Sequence, residues 1–322
     1  MKYSFVVPIY NDGALARDFC REMVATFREY LGHEDLAKDL EVIFVDDGSA
    51  NDSAKLLKDT CREFPFAKMV ALSRNFGQHV AISAGYRAAR GDYVGMLNVD
   101  QEDPPRELPR LLDAIRGSDY DIVGGLYEHR AAPFLTKITS RLFHVTLNRL
   151  TGYDTPVNSS TMRIMTRRSI DSYNALTEKN RYIPGLEGWL GLRYGRVPVE
   201  HQERKVGKSS YNFRRRLRMA IASVISFSDF PLRIAVKFGL LMAAMGMFLA
   251  VALVADKLFI QAHLPGYTST VAAIAVLSGV QLMVTGIASL YIGRILAEVQ
   301  GRPLFIVRET YEGAKAPDGA TQ

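Results

Sequence analysis

Two long stretches without a charged side chain, both in the last third of the chain, constrain its fold more than any other feature. Phe238–Ala255 (FGLLMAAMGMFLAVALVA) runs 18 residues without a charge, and Leu264–Gly293 runs thirty. As helices rising about 1.5 Å per residue, each reaches roughly the 30 Å of a hydrocarbon core. The second stretch is rich in small residues (Ala272, Ala273, Ala275, Ser278, Gly279, Gly286 and Ala288), as close-packed membrane helices are. Burial in a large soluble core is the competing reading, disfavoured because uncharged runs this long are rare in soluble domains. A transmembrane hairpin is therefore expected over residues 233–297. Its spans are placed at about 234–256 and 269–293, joined near Asp256–Tyr267.

The flanks orient the hairpin. Arg204, Lys205, Lys208, Arg214, Arg215, Arg216, Arg218 and Arg233 precede the first span, and Arg294, Arg302 and Arg308 follow the second. The connection carries only Asp256, Lys257 and His263. The positive-inside bias places both termini in the cytoplasm. MKYSFVVPIYND at the start of the chain lacks a signal-peptide layout and runs straight into a strand pattern. The expected arrangement is a cytosolic domain over 1–208, a basic interfacial helix over 209–232, the hairpin, and a cytosolic segment over 298–322 with a disordered end.

Composition agrees once it is divided this way. Across 322 residues, 48% apolar and 23% charged, with 13 Pro and 25 Gly, a disordered or collagen-like chain is excluded. The mean hydropathy of −0.01 averages a polar domain with two apolar spans. Two cysteines, Cys20 and Cys61, form no disulfide framework and suit a reducing compartment. The net charge of +6 asks for an anionic partner. Nucleic acid finds no other support, because basic and aromatic residues do not interleave and no binding motif occurs.

The first 230 residues alternate strand and helix patterns. Strands are predicted at Ser4–Ile9, Glu41–Asp46, Lys68–Leu72, Tyr93–Leu97 and Asp121–Gly124, and helices at Leu15–Leu31, Ser53–Phe64, His79–Ala89 and Glu107–Arg116. That alternation predicts a mostly parallel α/β sheet with ligands at the carboxyl ends of its strands. Neither G-x-G-x-x-G after the first strand nor G-x-x-x-x-G-K-[ST] occurs, nor a G-x-S-x-G elbow, zinc spacing or internal repeat.

Acidic residues gather at three strand ends: Pro8-Ile9-Tyr10-Asn11-Asp12, Asp46-Asp47-Gly48-Ser49, and Asn98-Val99-Asp100-Gln101-Glu102-Asp103. Asp46, Asp47 or Asp103, taken singly, reads equally well as a turn or cap residue. Together at one sheet edge they would repel one another unless a ligand or donors met them. Asp100 and Glu102, two apart, are oxygen ligands suited to Mg²⁺ or Mn²⁺.

These residues carry a resemblance. P-I-Y-N-D, V-D-D-G-S-A-N-D-S, S-R-N-F-G-Q-H, A-A-R-G-D-Y and D-x-E-D-P-P-x-E resemble glycosyltransferase family 2, which has the Rossmann-like GT-A fold. Arg204–Tyr211 (RKVGKSSY), Phe227–Arg233 (FSDFPLR), Tyr291–Arg294 and Gly301–Pro303 extend the resemblance to the polyprenyl-phosphate glycosyltransferase branch, which includes dolichol-phosphate mannose synthase and bacterial undecaprenyl-phosphate sugar transferases. It covers the chain to about Glu312.

The resemblance implies roles residue by residue. Pro8, Tyr10, Asp12 and Asp47 match positions that hold the nucleotide's base and ribose. Asp100 matches the final Asp of a D-x-D that ligates the divalent ion, and Asn98 its first position. Glu102 stands where the family often has a Gln near the metal. Arg130 and Arg204 match basic residues that meet phosphates, with Lys208 and Ser209 beside them in the acceptor's phosphate site. Asp100, Arg130 and Arg204 are the expected catalytic residues. A metal with arginine forks stabilises the departing nucleoside diphosphate.

Three departures stand out. Asn98 replaces a carboxylate, and Glu102 is a candidate to restore the charge. Ser210 replaces the Lys of an S-K-Y motif, with Lys208 nearby. The segment Asn158–Arg163 (NSSTMR) lacks an Asp that many relatives place there. A phosphate monoester, with its second pKa near 6, is already mostly anionic at neutral pH and needs no strong base, so the last departure favours a lipid-phosphate acceptor. The basic residues Arg214, Arg215, Arg216 and Arg218, with Leu217, Ile221, Val224, Ile225 and Phe227, suit an interfacial helix on an anionic leaflet.

The sequence is thus expected to encode an inverting, metal-dependent glycosyltransferase of the bacterial inner membrane, multi-pass, with its catalytic domain in the cytoplasm. The expected donor is a nucleotide-sugar, with UDP favoured and GDP left open as the carrier, and the acceptor undecaprenyl phosphate. Membrane lipids are expected partners, and the small-residue second span permits a homo-oligomer. The alternatives are a hydroxyl acceptor, or a non-catalytic membrane-anchored nucleotide-sugar-binding protein.

Overall fold

The computed structural model of the chain describes residues 1–100, 102–127, 159–200, 230–259 and 266–313. It divides into two compact units, residues 1–211 with 303–322, and residues 212–302.

In the first unit the central strands β1 (Tyr3–Ile9), β2 (Leu40–Asp46) and β3 (Ala67–Leu72) are buried almost throughout. Near-continuous apolar runs of this kind belong to parallel strands covered on both faces. The chain continues through β4 (Tyr93–Met96), β5 (Ile122–Tyr127), β6 (Ser159–Thr166), β7 (Tyr194–Val199) and β8 (Val307–Glu312). The eight strands form one sheet in the order β7-β5-β6-β4-β1-β2-β3-β8. The pairs β1–β2, β1–β4, β2–β3 and β5–β7 are parallel. β6 runs antiparallel to both β4 and β5, and β8 antiparallel to β3. The sheet is mostly parallel, as expected.

Helices α1 (Ala16–Leu31), α2 (Ser53–Glu63), α3 (Gln78–Ala88), α4 (Leu108–Arg116), α5 (Arg167–Ala175) and α6 (Ile183–Trp189) belong to the same unit. α1 shows why they pack. Ala16, Phe19, Cys20, Met23 and Phe27 recur at helical spacing and are all buried, one apolar stripe laid on the sheet. Phe27 meets Phe5 at 5.3 Å between ring centroids. Cys20 and Cys61 are buried free thiols whose pKa values burial raises, consistent with inert core cysteines.

The topology locates a crevice. The chain winds β1-β2-β3 in one direction and then crosses to place β4 on the other side of β1. The carboxyl ends of β1 and β4 therefore flank the switch point, where open α/β sheets bind ligands. β6 enters antiparallel to β4, with Met96 opposite Arg163, so the first residues of β6 lie beside the loop leaving β4.

β8 is an addition to the expected fold. The segment 298–322, read from sequence as a cytosolic tail, supplies an edge strand. Lys58 pairs with Glu309 (2.6 Å), Arg90 with Glu312 (3.2 Å), and Arg62 donates to the Tyr311 hydroxyl (3.1 Å). A charged strand of this kind closes an edge without inviting another chain.

The second unit contains α7 (Phe230–Phe259) and α8 (Tyr267–Val299), which contact each other. Among the described residues one stretch, Val276–Val299, is long and apolar enough to cross a membrane, and α7 holds a shorter apolar stretch, Ile234–Phe248. The basic segment 209–229 and the acceptor-site residues Arg130, Arg204, Lys208 and Ser209 lie outside the described residues.

Candidate active site

The loops leaving β1 and β2 are laced together at the crevice. Asn11 takes the left-handed conformation at φ 66°, which asparagine tolerates better than most residues. Its backbone N–H donates to Ser49 Oγ (2.9 Å), its Oδ1 accepts from the Ala50 amide (3.0 Å), and its carbonyl accepts from Asn51 Nδ2 (2.9 Å). Gly13 donates to Ser53 Oγ (3.0 Å). Pro8 is half-buried at the end of β1, whereas Tyr10 and Asp12 are exposed on the loop beyond it.

The two aspartates after β2 serve different loops. Asp46 is buried; its Oδ1 accepts from the Ser49 amide (3.1 Å), while Oδ2 has no hydrogen-bond partner. Asp47 accepts the amides of Phe76 (2.7 Å) and Gly77 (2.9 Å), one on each oxygen. Burial raises the Asp47 pKa against those two amides, and Asp46 adds to the rise. Gly48 stands between these loops at φ +67°, and a Cβ there would lie 2.3 Å from the Arg74 carbonyl carbon. Only glycine fits.

The loop after β4 carries the metal candidates. Asp100 and Glu102 are both half-buried, and Asp100 Oδ1 accepts from the Glu102 amide (3.3 Å). No group of three His, Cys, Asp or Glu side chains able to hold a metal occurs among the described residues. Two carboxylates fit Mg²⁺ or Mn²⁺ bound in the common manner, through one or two protein carboxylates, water and substrate phosphates. Asp103, three residues past Asp100, faces inward and is 1% exposed. It accepts from Tyr127 (2.6 Å), Ser160 (2.6 Å) and Thr161 (2.6 Å). Burial and then the Asp103 charge raise the Tyr127 pKa, so the phenol keeps its proton for that bond.

Asn98 lies between two partners. Its Oδ1 accepts from Gln78 Nε2 (3.1 Å), and its Nδ2 donates to Thr161 Oγ1 (3.1 Å). The acidic strand ends thus converge with Asn98, but Asp47 and Asp103 turn their carboxylates into the protein.

Beyond Thr161 on β6, a polar cluster that sequence reasoning missed lies between the sheet and helices α3 and α6. Arg163 Nη1 meets both oxygens of Glu187, at 2.9 and 2.8 Å, and its Nε donates to the Thr161 carbonyl (3.2 Å). Burial and then the positive charge of Arg163 push the His79 pKa down to about 4. His79 packs edge-on to Tyr182 at 5.6 Å. Its Nδ1 and the Tyr86 hydroxyl are buried without partners. An arginine set among the apolar residues Met162, Ile164 and Met165 was the available signal.

Comparison with known proteins decides the family, because residues 4–173 match the model of glycosyl transferase family 2. The chain belongs to glycosyl transferase family 2. This family 2 enzyme is 30% identical over 312 residues to the uncharacterized glycosyltransferase YkcC of Bacillus subtilis (strain 168), covering 97% of this chain and 94% of that protein. It is 33% identical over 311 residues to the undecaprenyl-phosphate 4-deoxy-4-formamido-L-arabinose transferase of Enterobacter sp. (strain 638), covering 95% and 93%. The fold resembles the crystal structure of Mycobacterium tuberculosis glucosyl-3-phosphoglycerate synthase with Mn²⁺, UDP-glucose and phosphoglyceric acid. That match has a TM-score of 0.51 at 17% identity and covers 70% of this chain and 79% of the other. At that identity the likeness establishes the fold alone.

Proposed function

We propose that this family 2 glycosyltransferase moves a sugar from a UDP-linked donor to undecaprenyl phosphate at the cytoplasmic face of a bacterial inner membrane, with inversion at the anomeric carbon. Supporting this acceptor is near-full-length similarity to transferases named for undecaprenyl phosphate, together with the arrangement of carboxylates at the site. Asp47, Asp103 and Glu187 each have both oxygens engaged, by amides, hydroxyls and Arg163 respectively. Asp46 is sealed from solvent. A hydroxyl acceptor would need a free carboxylate as its base, which none of these four described residues offers, whereas a phosphate monoester brings its own anionic oxygen.

In this reading Pro8, Tyr10 and Asp12 line the donor's base and ribose, Asp47 shapes that pocket by holding the Phe76–Gly77 loop, and Asp100 and Glu102 would hold Mg²⁺ or Mn²⁺. The ion, when bound, neutralises charge on the donor diphosphate. A phosphate oxygen of the acceptor forms the new bond to the anomeric carbon as the bond to the diphosphate oxygen breaks, releasing UDP. Arg130, Arg204, Lys208 and Ser209 are assigned to the phosphates on sequence alone. α7 and α8 form the membrane hairpin. Leu240, Phe248, Leu282 and Val299, each at least 72% exposed, present the uncovered apolar surface that lipid would bury.

Full-length protein in lipid nanodiscs, given Mn²⁺, undecaprenyl phosphate and a panel of UDP-sugars, is expected to release UDP only with the lipid present. Mass spectrometry should find the lipid heavier by one glycosyl residue. UDP release independent of lipid, or donor binding without turnover, overturns the proposal. Asp100→Ala is expected to abolish metal-dependent turnover.

A further inference from the structure

The geometry points to Thr161 as a positioning residue that clasps both ends of the metal-binding loop, and to Asn98 as its obligatory amide partner rather than a weakened metal ligand. The assignment of the loop to a metal rests on the proposed function; the clasp itself rests on hydrogen bonds. Thr161 Oγ1 stands 2.6 Å from Asp103 Oδ2 and 3.1 Å from Asn98 Nδ2. Asn98 opens the segment that carries Asp100 and Glu102, and Asp103 closes it. One hydroxyl on β6 therefore joins the two ends of the loop.

The chemistry of the groups fixes the direction of each bond. A carboxylate only accepts, and a threonine hydroxyl has one proton. That proton goes to Asp103, so the hydroxyl must accept from its other neighbour. Of the two ends of the Asn98 amide, only the NH₂ satisfies this. The Asn98 carbonyl is then turned toward Gln78, whose Nε2 donates to it at 3.1 Å. The donors run Gln78 to Asn98 to Thr161 to Asp103, and Ser160 and Tyr127 complete Asp103 from the other side. Aspartate at 98 would set an acceptor against the Thr161 oxygen and add a charge close to Asp100 and Asp103. Groups that orient metal ligands in this way typically govern affinity by 10- to 100-fold.

The test is Mn²⁺ binding to the full-length protein with UDP present and no lipid, followed by electron paramagnetic resonance. Thr161→Val keeps the shape and removes both bonds; it is expected to weaken Mn²⁺ binding about tenfold or more, with the melting temperature monitored alongside. Thr161→Ser, which keeps the hydroxyl, is expected to stay within about threefold of the parent, below the loss that removing such a partner brings. Asn98→Asp separates the two views directly. A weakened ligand would be repaired and Mn²⁺ would bind more tightly, whereas the clasp predicts weaker binding. Tighter binding in Asn98→Asp, parent-like binding in Thr161→Val, or a Thr161→Ser defect equal to that of valine overturns the inference. Because no acceptor is present, loss of the undecaprenyl phosphate proposal would leave this result standing.

Discussion

Arg163 on β6 grips Glu187 on α6 through a single nitrogen, Nη1, which lies 2.9 and 2.8 Å from the two carboxylate oxygens. The side chains are 11% and 4% exposed. Burial alone would lower the Arg163 pKa, but the Glu187 charge raises it, so the guanidinium stays charged. Removing one member strands the other. Glu187→Gln is expected to cost about 3–5 kcal/mol in urea unfolding, whereas Arg163→Met with Glu187→Leu should recover most of that loss. A double variant no more stable than the single one would refute the pairing argument.

His79 supplies a pH dependence of known sign. Its folded pKa of about 4 lies below the ordinary histidine value near 6.5. Between those values the unfolded chain binds a proton that the folded chain does not, so stability falls as pH falls from about 6.5 to 4, by at most about 3 kcal/mol. Arg163 and Tyr182 beside this site keep their charge states across that window, whereas burial raises the Glu187 pKa, so the His79 contribution is read as the difference between the parent and the His79 variant. His79→Gln should flatten the stability profile there, as measured by denaturant midpoints at half-unit pH steps.

Glu41 acts in a lower window. It accepts from Ser4 (2.5 Å), Lys68 (2.7 Å) and the Arg90 amide (2.6 Å), and Lys68 also donates to the Ala88 carbonyl (2.9 Å). This cluster ties the A-A-R-G-D-Y turn to β1, β2 and β3. Burial works to raise the Glu41 pKa, but the bonds from Lys68, Ser4 and Arg90 outweigh it and hold it low. Its stabilisation is full above about pH 4.3 and fades as pH falls through the lower folded value. Lys68→Met should cost about 3 kcal/mol at pH 7 and move the acid-unfolding midpoint upward.

Two glycines with similar backbones should respond differently to alanine. Gly32 at φ +71° has nothing within 4 Å of a built Cβ, whereas Gly48 at φ +67° has the Arg74 backbone at 2.3 Å. Gly32→Ala should cost about 1 kcal/mol, the left-handed penalty alone. Gly48→Ala should cost more than twice that. It should also weaken UDP binding, read by calorimetry, because the loops after β2 and β3 must part.

Five of the sheet's six parallel strands and four of its helices were legible because apolar period and turn chemistry agreed in each. β1 extends only one residue beyond its expected start, and α2 ends one residue short of its expected end. β6, β7 and β8 escaped for distinct reasons. β6 begins in hydroxyl residues and carries Arg163, β7 contains Gly195 and Pro198, and β8 reads VRETYE with charges at an exposed edge. At the site, the acidic strand ends were legible as a cluster at one edge of the sheet, and Asp100 and Glu102 stand half-buried there. The inward turn of Asp103 was not legible, since it depends on Ser160 and Thr161, 57 and 58 residues later. No local pattern encodes such a partner.

β8 has a bearing on how the enzyme is made. Synthesis proceeds from the N-terminus, so β1 to β7 leave the ribosome before the segment that pairs with β3 exists. Arg62 and Tyr311, which meet in the finished domain, are 249 positions apart in the chain, and both long helices fall between them. Until Val307–Glu312 emerges, β3 presents an open row of backbone donors and acceptors, the hazard that edge strands carry. The catalytic sheet is therefore completed only after α7 and α8 have been synthesised, so the enzyme domain cannot mature ahead of the two long helices.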